Sequence, residues 1–294
     1  MRSQRLEFAV TLFSWISALV FLGIMTTLLT YLLVKGAPYL TLALIFGTTS
    51  PLDGLLLKQP VLNGLFPAIA GTLLLVFLSV LIALPAGLSA GIYLAEYAKG
   101  SVKGFFSLMF DLLAGIPSIV VGLFGFSVTI FLHQRFFGNL YPCLLISSLS
   151  LAFLVLPCLI RTTQTALESL PLSLRQTGLA LGATPLQNLF RVLLPRSLSG
   201  IMTGVILAIG RCAEDTAVIM LTGVVVSSGI PKSVFSNYEA LPFYIYYISS
   251  QYRDRAELGT GYGAALLLLG ICGLLYFAAF FINRRFKNAF RKRV

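Results

Sequence analysis

Long runs of apolar residues, separated by short polar segments, set the pattern of this sequence. A hydrocarbon core about 30 Å thick requires roughly 20 apolar residues in a helix. Six runs reach this length, namely Phe8–Val34, Leu65–Tyr93, Phe105–Leu132, Leu140–Ile160, Leu198–Val226 and Gly263–Ile282. The first run is too long for the apolar core of a signal peptide, and no small-residue cleavage site follows it before Lys35, so we expect it to remain as an anchor. The pattern predicts an all-α integral membrane protein with six transmembrane helices.

Composition narrows the protein class further. Of the 294 residues, 57% are hydrophobic and 11% are charged, and the mean hydropathy is +0.93. Soluble domains carry about 25% charged residues, and a soluble globule could not hide this much apolar surface. A soluble enzyme, a secreted disulfide scaffold and a disordered linker protein are therefore excluded. The net charge of +11 does not indicate a nucleic acid partner, because the basic residues lie between apolar runs instead of clustering on one surface.

The basic residues divide unequally between the two sides of the predicted membrane region. With a cytoplasmic N-terminus, the inner segments hold 14 of the 21 Lys and Arg residues, the outer loops hold 6, and Arg211 lies within a span. Cytoplasmic loops carry the excess of Lys and Arg, so we expect both termini to be cytoplasmic. The two long outer loops are 35–64 and 227–262. Because aromatic residues favour the headgroup zone, the stretch Leu241–Gln251 is predicted to form a short interfacial helix.

Cysteine and histidine are too scattered for a metal centre. The only histidine is His133, no pair of cysteines has C-x-x-C spacing, and all cysteines fall in or beside apolar runs: Cys143, Cys158, Cys212 and Cys272. A tetrahedral site needs about four close ligands, so we predict neither a metal site nor a disulfide. The sequence also lacks the G-x-x-x-x-G-K-[ST] phosphate-binding loop, and no nucleophile–base pair stands out. We therefore expect no ATP hydrolysis by this chain, no cofactor in it and no enzyme activity.

A loop of about 37 residues, 161–197, separates the fourth predicted span from the fifth. Its apolar residues recur at helical spacing, and Gly182, Pro185 and Pro195 divide it into short helical pieces. Thr184 is placed to cap a helix that begins at Pro185. A short amphipathic helix on the cytoplasmic side can insert into a groove of a partner protein or lie flat on the lipid surface. Periodicity alone does not choose between these two interpretations.

Three charged residues, Arg211, Glu214 and Asp215, fall within the fifth predicted span. Each charge at the bilayer centre costs on the order of 2.5–3.5 kcal/mol, so we expect the three to face away from lipid. In a continuous helix, Gly204, Arg211 and Asp215 lie within about 40° of one another, and Glu214 lies about 60° from Arg211. A stripe of small residues that begins at Gly200 would let a neighbouring helix approach this face closely.

Two roles fit these charges. An ion pair between Arg211 and Asp215 could serve only to fix helix packing, but intramembrane ionisable residues are functional candidates by default. A guanidinium can bind two oxygens of an oxyanion at once and stays protonated. We hypothesise that Arg211 contacts an anion that passes through a transient cavity, and that Asp215 holds the guanidinium when the cavity is empty. A helix break at Gly115–Pro117 predicts a bent third span, of the kind that lines a cavity.

The loop 161–197 also carries a spaced motif: Gln176-Thr177-Gly178, then Gly182, then Val192-Leu193-Leu194-Pro195. It resembles the "EAA" loop of permease subunits of ATP-binding-cassette importers, in which E-A-A, three residues, Gly, nine residues and I-x-L-P follow one another. The first three residues depart from the family pattern. The resemblance implies a coupling helix that docks into an ATPase subunit, carried here by Gln176, Gly178, Gly182, Ala183, Thr184, Pro185, Leu194 and Pro195.

Further segments are similar to the phosphate importer permeases of this kind, over residues 65–282: Ala90–Ala98, Gly115–Leu123, Gly200–Ala208 and Arg211 with Thr216-Ala217. The similarity is closest to the PstA-type subunit. In the family motif R-x-x-G-E-T-A-P, the glutamate position is Asp215 here, whereas Glu214 replaces the glycine and Val218 replaces the proline. The resemblance also implies a transport role for Arg161, for which snorkelling to the headgroups is the alternative. We expect Asp111 to be structural.

The resemblance implies the rest of the functional prediction. The chain is expected to be a phosphate permease of a bacterial inner membrane, with a PstC-type permease, an ATPase dimer that binds ATP and Mg, and an extracytoplasmic phosphate-binding protein as partners. Its parts are predicted as residues 1–64 (first helix and outer loop), 65–282 (permease core) and 283–294 (basic cytoplasmic tail). The alternatives are a permease for sulfate or molybdate, and a proton-coupled secondary transporter in which Glu214 and Asp215 relay protons.

Overall fold

The structure, a computed structural model, describes residues 2–47, 49, 64–135 and 141–291. Within these residues the chain is helical, and the only β-type pairing is an isolated bridge between Val224 and Tyr238. Six helices are long and apolar enough to cross a membrane: Leu6–Tyr39, Phe66–Tyr97, Ser118–Arg135, Leu144–Glu168, Pro185–Glu214 and Arg255–Arg285. The predicted all-α fold with six spans is confirmed.

The described helices carry the following labels in chain order. They are α1 (Arg2–Gly36), α2 (Leu42–Phe46), α3 (Phe66–Ile92), α4 (Gly100–Ala114), α5 (Ser118–Arg135), α6 (Leu144–Glu168), α7 (Leu172–Ala180), α8 (Pro185–Asn188), α9 (Leu194–Glu214), α10 (Ala217–Thr222), α11 (Leu241–Gln251) and α12 (Arg255–Arg291). A π-helical turn at Tyr93–Tyr97 extends α3, and another at Leu189–Leu193 joins α8 to α9.

The third predicted span is two helices. The predicted single run Phe105–Leu132 is replaced by α4 and α5, with the break at Gly115–Pro117. Proline lacks the N–H that an interior helical position would donate, and its ring clashes with the preceding turn, so the helix stops before Pro117 and restarts at Ser118. The predicted bend is thus confirmed, while the predicted continuity of the span is wrong.

The core forms where α3, α6 and α9 pack together. Leu75 of α3, Val155 of α6 and Ala208 of α9 are almost completely buried in one apolar cluster. Gly204 of α9 lies directly against the side chain of Thr162 on α6, with no room for a Cβ atom. The predicted small-residue stripe therefore faces α6, and it sets how closely the two helices approach.

The first and last helices lie outside this core. None of the apolar stretch of α1 is buried, and α1 contacts α12, where Tyr31 and Tyr262 meet edge to face. A helix that is apolar on every side is typical of a membrane span, and this one leaves its surface for lipid or another chain. Since α12 continues to Arg291, the predicted boundary at residue 283 falls inside a helix.

The segment 223–240 lies at one end of the bundle and leads into α11. Gly223 has a φ of +144°, a value that favours glycine, and Leu241 donates its N–H to Thr72 of α3. The helix α11 has the predicted bounds, Leu241–Gln251. Glu239 accepts backbone N–H groups from Ser228 at 2.8 Å and Gly229 at 2.6 Å. Burial raises the pKa of Glu239, and these two hydrogen bonds oppose that rise in pKa.

Candidate translocation site and coupling segment

The fifth predicted span, Leu198–Val226, ends early at the charged residues. The helix α9 stops at Glu214, and Asp215 has an extended backbone, with φ −72° and ψ 120°. Its Oδ1 accepts the N–H of Val218 in the first turn of α10, at 2.8 Å. Aspartate commonly ends one helix and caps the next in this way, because its short side chain competes for backbone N–H groups. Asp215 therefore starts α10.

The predicted continuous helix through this span is wrong, because α9 stops at Glu214 and Asp215 is the residue that ends it. Among the ion pairs that the described residues form, none includes Arg211. The Arg211 side chain is exposed on this chain, close enough to Cys158 of α6 for an electrostatic interaction. Arg211 is thus an exposed guanidinium outside the ion pairs of the described residues, and its contact with an anion stays a prediction.

Glu214 points to a different place. It lines a groove of about 460 Å³ between the end of α9 and the face of α12, together with apolar side chains and one tyrosine: Ile245, Ala265, Leu268, Leu269, Cys272 and Tyr276. Arg211, Glu214 and Asp215 are adjacent in sequence but enter three different surroundings. The structure does not bring them together as one charged cluster.

Arg161 is fully engaged within the chain. Its Nε donates to Asp111 Oδ1 at 2.8 Å, and its Nη2 donates to Asp111 Oδ2 at 2.5 Å. Nη1 donates to Ser107 at 3.2 Å and Gln164 at 2.9 Å, and Nη2 also donates to the Ser107 carbonyl at 2.7 Å. Arg161 thus holds α4 against α6, and the expected structural role of Asp111 has its geometric basis here. A contact between Arg161 and a transported ion stays a prediction, and it would require Asp111 to release the guanidinium.

The predicted loop 161–197 is more helical than expected. Helix α6 continues to Glu168, and α7, α8 and the turn at Leu189–Leu193 lead into α9. We call residues 172–188, which comprise α7, α8 and the link between them, the coupling segment. Gly182 within that link has a φ of +82°, which suits glycine.

The predicted cap at the start of α8 is present. Thr184 Oγ1 accepts the N–H of Gln187 at 3.3 Å, and Gln187 Oε1 accepts the N–H of Thr184 at 3.1 Å. This reciprocal pair is a capping box. It satisfies the first N–H groups of a helix too short to be stable in isolation.

Half of the eight motif residues are exposed on the coupling segment. Gln176, Gly182, Thr184 and Pro185 are exposed, Ala183 is half-buried, and Gly178 is buried against Asn188. Leu194 and Pro195 lie beyond the segment, at the start of α9, and are half-buried. Several leucines project from the segment, namely Leu172, Leu179, Leu181 and Leu186, with Leu181 84% exposed. Exposed apolar side chains on short helices form a surface suited to binding a protein partner.

The comparison with known families settles which kind of protein carries this segment. The sequence profile of the family described as "Binding-protein-dependent transport system inner membrane component" matches residues 84–288, more than half of the chain. The chain belongs to this family. The matched region begins within α3 and ends within α12, so it contains the coupling segment and the helix break at Asp215. The protein is therefore a multi-pass membrane permease component.

Curated relatives are similar over much of the chain. The phosphate transport system permease protein PstA of Yersinia pestis is 38% identical over 192 residues, which are 64% of this chain and 60% of that protein. PstA 1 of Mycobacterium tuberculosis is 33% identical, over 84% of this chain and 77% of its own length. PstA of Haemophilus influenzae is 30% identical, with 92% of each chain covered.

Solved structures agree on the fold. A bacterial alginate ABC transporter, in complex with a periplasmic protein that holds an alginate pentasaccharide, has a chain with a TM-score of 0.62 at 19% identity, covering 91% of this chain and 94% of that one. The inward-facing methionine transporter MetNI gives a TM-score of 0.59 at 20% identity, covering 81% and 99%. At these identities the likeness concerns the fold alone.

Sequence reasoning missed the polar contacts that hold the coupling segment. Arg175 Nη2 donates to Glu96 at 2.8 Å and to the Leu167 carbonyl at 3.0 Å. Asn188 Nδ2 donates to the Arg175 carbonyl at 2.8 Å. Glu96 and Arg175 are 79 positions apart, and no local pattern pairs them. One weak signal existed, because Glu96 is an acidic residue directly after a long apolar run.

Proposed function

We propose that this chain is the permease subunit of an ATP-binding-cassette importer that carries inorganic phosphate across the bacterial inner membrane. The observation that carries the proposal is Arg211, an exposed guanidinium within the membrane-spanning part that has no ion pair among the described residues. Its chemistry suits the substrate named for the relatives, whose similarity extends over up to 92% of the chain. An arginine binds two phosphate oxygens at once and keeps its charge at every physiological pH.

The proposed roles of Arg211, Glu214 and Asp215 follow from the geometry at the end of α9. Arg211 binds the passing anion, while Asp215 fixes the start of α10 and thereby the place where α9 ends. Because Asp215 already accepts the Val218 N–H, one carboxylate oxygen is occupied by the backbone. Glu214 faces the groove with α12, on a different side from the anion.

The proposal also includes the proteins with which this chain assembles. An ATPase dimer that binds ATP and Mg docks on the exposed leucines of the coupling segment, and a PstC-type permease covers the membrane surfaces that this chain leaves open. An extracytoplasmic phosphate-binding protein delivers the substrate at the outer side. In this proposal both termini lie in the cytoplasm, which the uneven distribution of Lys and Arg supports.

Uptake of radiolabelled phosphate tests this function. Cells that lack their own phosphate importers receive this chain with the subunits of its operon, and a second strain carries the ATPase with its phosphate-binding lysine replaced. We expect uptake that needs the intact ATPase and resists excess sulfate. Uptake that survives the ATPase substitution would indicate a secondary transporter, and ATP-dependent uptake of sulfate or molybdate would overturn the substrate.

Arg211→Ala tests the proposed site within that system. Hydrogen bonds to charged groups contribute about 1.5–3 kcal/mol each, so losing a two-pronged contact should lower uptake by about 100-fold or more. The matched control is Arg284→Ala, which removes an exposed arginine near the cytoplasmic end of α12. Retained uptake with Arg211→Ala, in a complex that assembles normally, would remove Arg211 from the mechanism.

A further inference from the structure

The coupling segment has little apolar packing to hold α7 in place. Within α7, the only buried residue is Gly178, which has no side chain to pack. Burial of apolar area contributes about 25 cal/mol per Å², so a nine-residue helix with one buried glycine gains little from it. Polar contacts must therefore set the position of α7 relative to the membrane helices.

One side chain supplies most of these contacts. Arg175, in the middle of α7, donates from Nη2 to Glu96 Oε1 at 2.8 Å and to the Leu167 carbonyl at 3.0 Å. Glu96 belongs to the π-helical turn at the end of α3, and Leu167 lies in the last turn of α6. Arg175 thus connects the coupling segment to the ends of both helices. The Asn188 amide donates to the Arg175 carbonyl at 2.8 Å, which ties α8 to the same residue.

This ion pair is more enclosed than the other two of the described chain. The side chains of Arg175 and Glu96 are 22% and 20% exposed, whereas those of Lys103 and Glu168 are both 37% exposed and Asp111, the partner of Arg161, is 61% exposed. Charge pairs are screened less as their burial increases. An apolar cluster lies beside the pair, formed by Ala95, Leu167, Leu189 and Leu193. The Arg175–Glu96 pair is consequently the least screened of the three ion pairs.

Two π-helical turns lie close to the Arg175–Glu96 ion pair. Glu96 lies in the π-helical turn Tyr93–Tyr97, and the turn Leu189–Leu193, which follows the coupling segment, is also π-helical. Both turns contribute residues to the same apolar cluster. Short π-helical turns inside α-helices occur often at functional sites, and here two of them meet where the coupling segment joins the bundle.

We propose that the Arg175–Glu96 ion pair is the contact that transmits movement of the coupling segment to α3 and α6, so that Arg175 and Glu96 are positioning residues for transport. The inference rests on the proposed function, in which an ATPase docks on this segment. When the docked ATPase moves the coupling segment, the ion pair moves the end of α3 with it. Without the pair, α7 moves while the membrane helices stay, and ATP is hydrolysed without transport.

The test uses the complete importer in proteoliposomes and measures ATP hydrolysis and radiolabelled phosphate uptake together. The variants are Glu96→Gln, Arg175→Gln, the double variant, and Arg175→Lys, which keeps the charge. We expect each single Gln variant to lower the phosphate taken up per ATP by about tenfold, while hydrolysis stays within about twofold of the original rate. The double variant should match the single ones, because two partners of one contact are lost only once. Arg175→Lys should recover most of the uptake.

The control is Lys103→Gln, which neutralises one partner of the ion pair between α4 and α6 and leaves α7 untouched. We expect it to preserve the ratio of uptake to hydrolysis. The inference is overturned if uptake and hydrolysis fall in parallel, if the losses of the single variants multiply in the double variant, or if Lys103→Gln uncouples equally. If the unaltered importer takes up phosphate without ATP, the proposed function itself has failed. If that importer is ATP-driven and the Glu96 variant behaves like the control, only this inference fails.

Discussion

The contact between α9 and α6 makes a sharp prediction for Gly204. A Cβ atom at this position would overlap the Thr162 side chain, so Gly204→Ala must push the two core helices apart. Overpacking of this kind costs about 1–3 kcal/mol, and replacing glycine by alanine inside a helix returns about 1 kcal/mol through helix propensity. The net loss of stability is therefore about 0–2 kcal/mol, which is difficult to interpret from one variant.

A matched variant removes the propensity contribution. Gly270 lies on the exposed face of α12 with nothing within 4 Å of an added Cβ atom, so Gly270→Ala has the same gain in propensity and no overlap. The difference between the two variants should be the overpacking cost alone, about 1–3 kcal/mol, with Gly204→Ala the less stable. Unfolding of the purified chain in mixed micelles with increasing SDS measures both. If Gly204→Ala unfolds at the same SDS fraction as Gly270→Ala, the close approach of α9 to α6 is wrong.

Two further predictions concern the segment 223–240 and the coupling segment. A carboxyl group whose pKa is raised by burial binds its proton more tightly when folded, so the segment 223–240 should become more stable as the pH falls from the raised pKa of Glu239 towards its ordinary value of 4.5. The protection factors of the Ser228 and Gly229 amides, which correct for the intrinsic exchange rate at each pH, should rise over that interval, and Glu239→Gln should abolish that rise. Thr184→Ala removes the cap of α8, which lowers the stability of that helix by about 1 kcal/mol. This variant should weaken co-purification of the ATPase with the permease. Gln187→Ala removes the other half of the capping box and should have an effect in the same direction.

Hydropathy could predict the membrane spans because a bilayer demands long apolar helices wherever the chain crosses it. The segment Gly115–Pro117 also predicted the bend between α4 and α5, although proline alone does not end a helix in this chain, since Pro85 lies inside α3 and Pro157 inside α6. The end of α9 was different. Nothing in the residue types requires the helix to stop at Glu214, and the stop depends on the Asp215 side chain taking the Val218 N–H. A helical wheel therefore placed Arg211 and Asp215 on one face of a helix that ends between them.

The coupling segment also contains one contact that the sequence predicts and one that it does not. Its cap at Thr184 and Gln187 is local, because both residues lie within one turn, and the sequence alone predicted the capping role of Thr184. The contact of Arg175 with Glu96 joins positions 79 residues apart, and its existence depends on how α3, α6 and α7 pack. A single sequence holds no record of such a pair, although each partner is visible as a charged residue beside an apolar run.

The charged residues of this chain fall into two groups. Some form ion pairs within the described residues, and others are exposed and unpaired there. The ion pairs formed among the described residues join α4 to α6 and the end of α3 to α7, so all of them lie close to the coupling segment. Farther along α9, Arg211 and Glu214 are exposed and belong to none of those pairs. A charge facing hydrocarbon costs about 2.5–3.5 kcal/mol, and two such costs are large beside the 5–15 kcal/mol that stabilises a typical protein. Under the proposed function, water, substrate or a second permease covers these two side chains. Helix α1, with none of its apolar stretch buried, likewise leaves its surface for lipid or another chain, so we expect the complete importer to cover surfaces that this chain alone exposes.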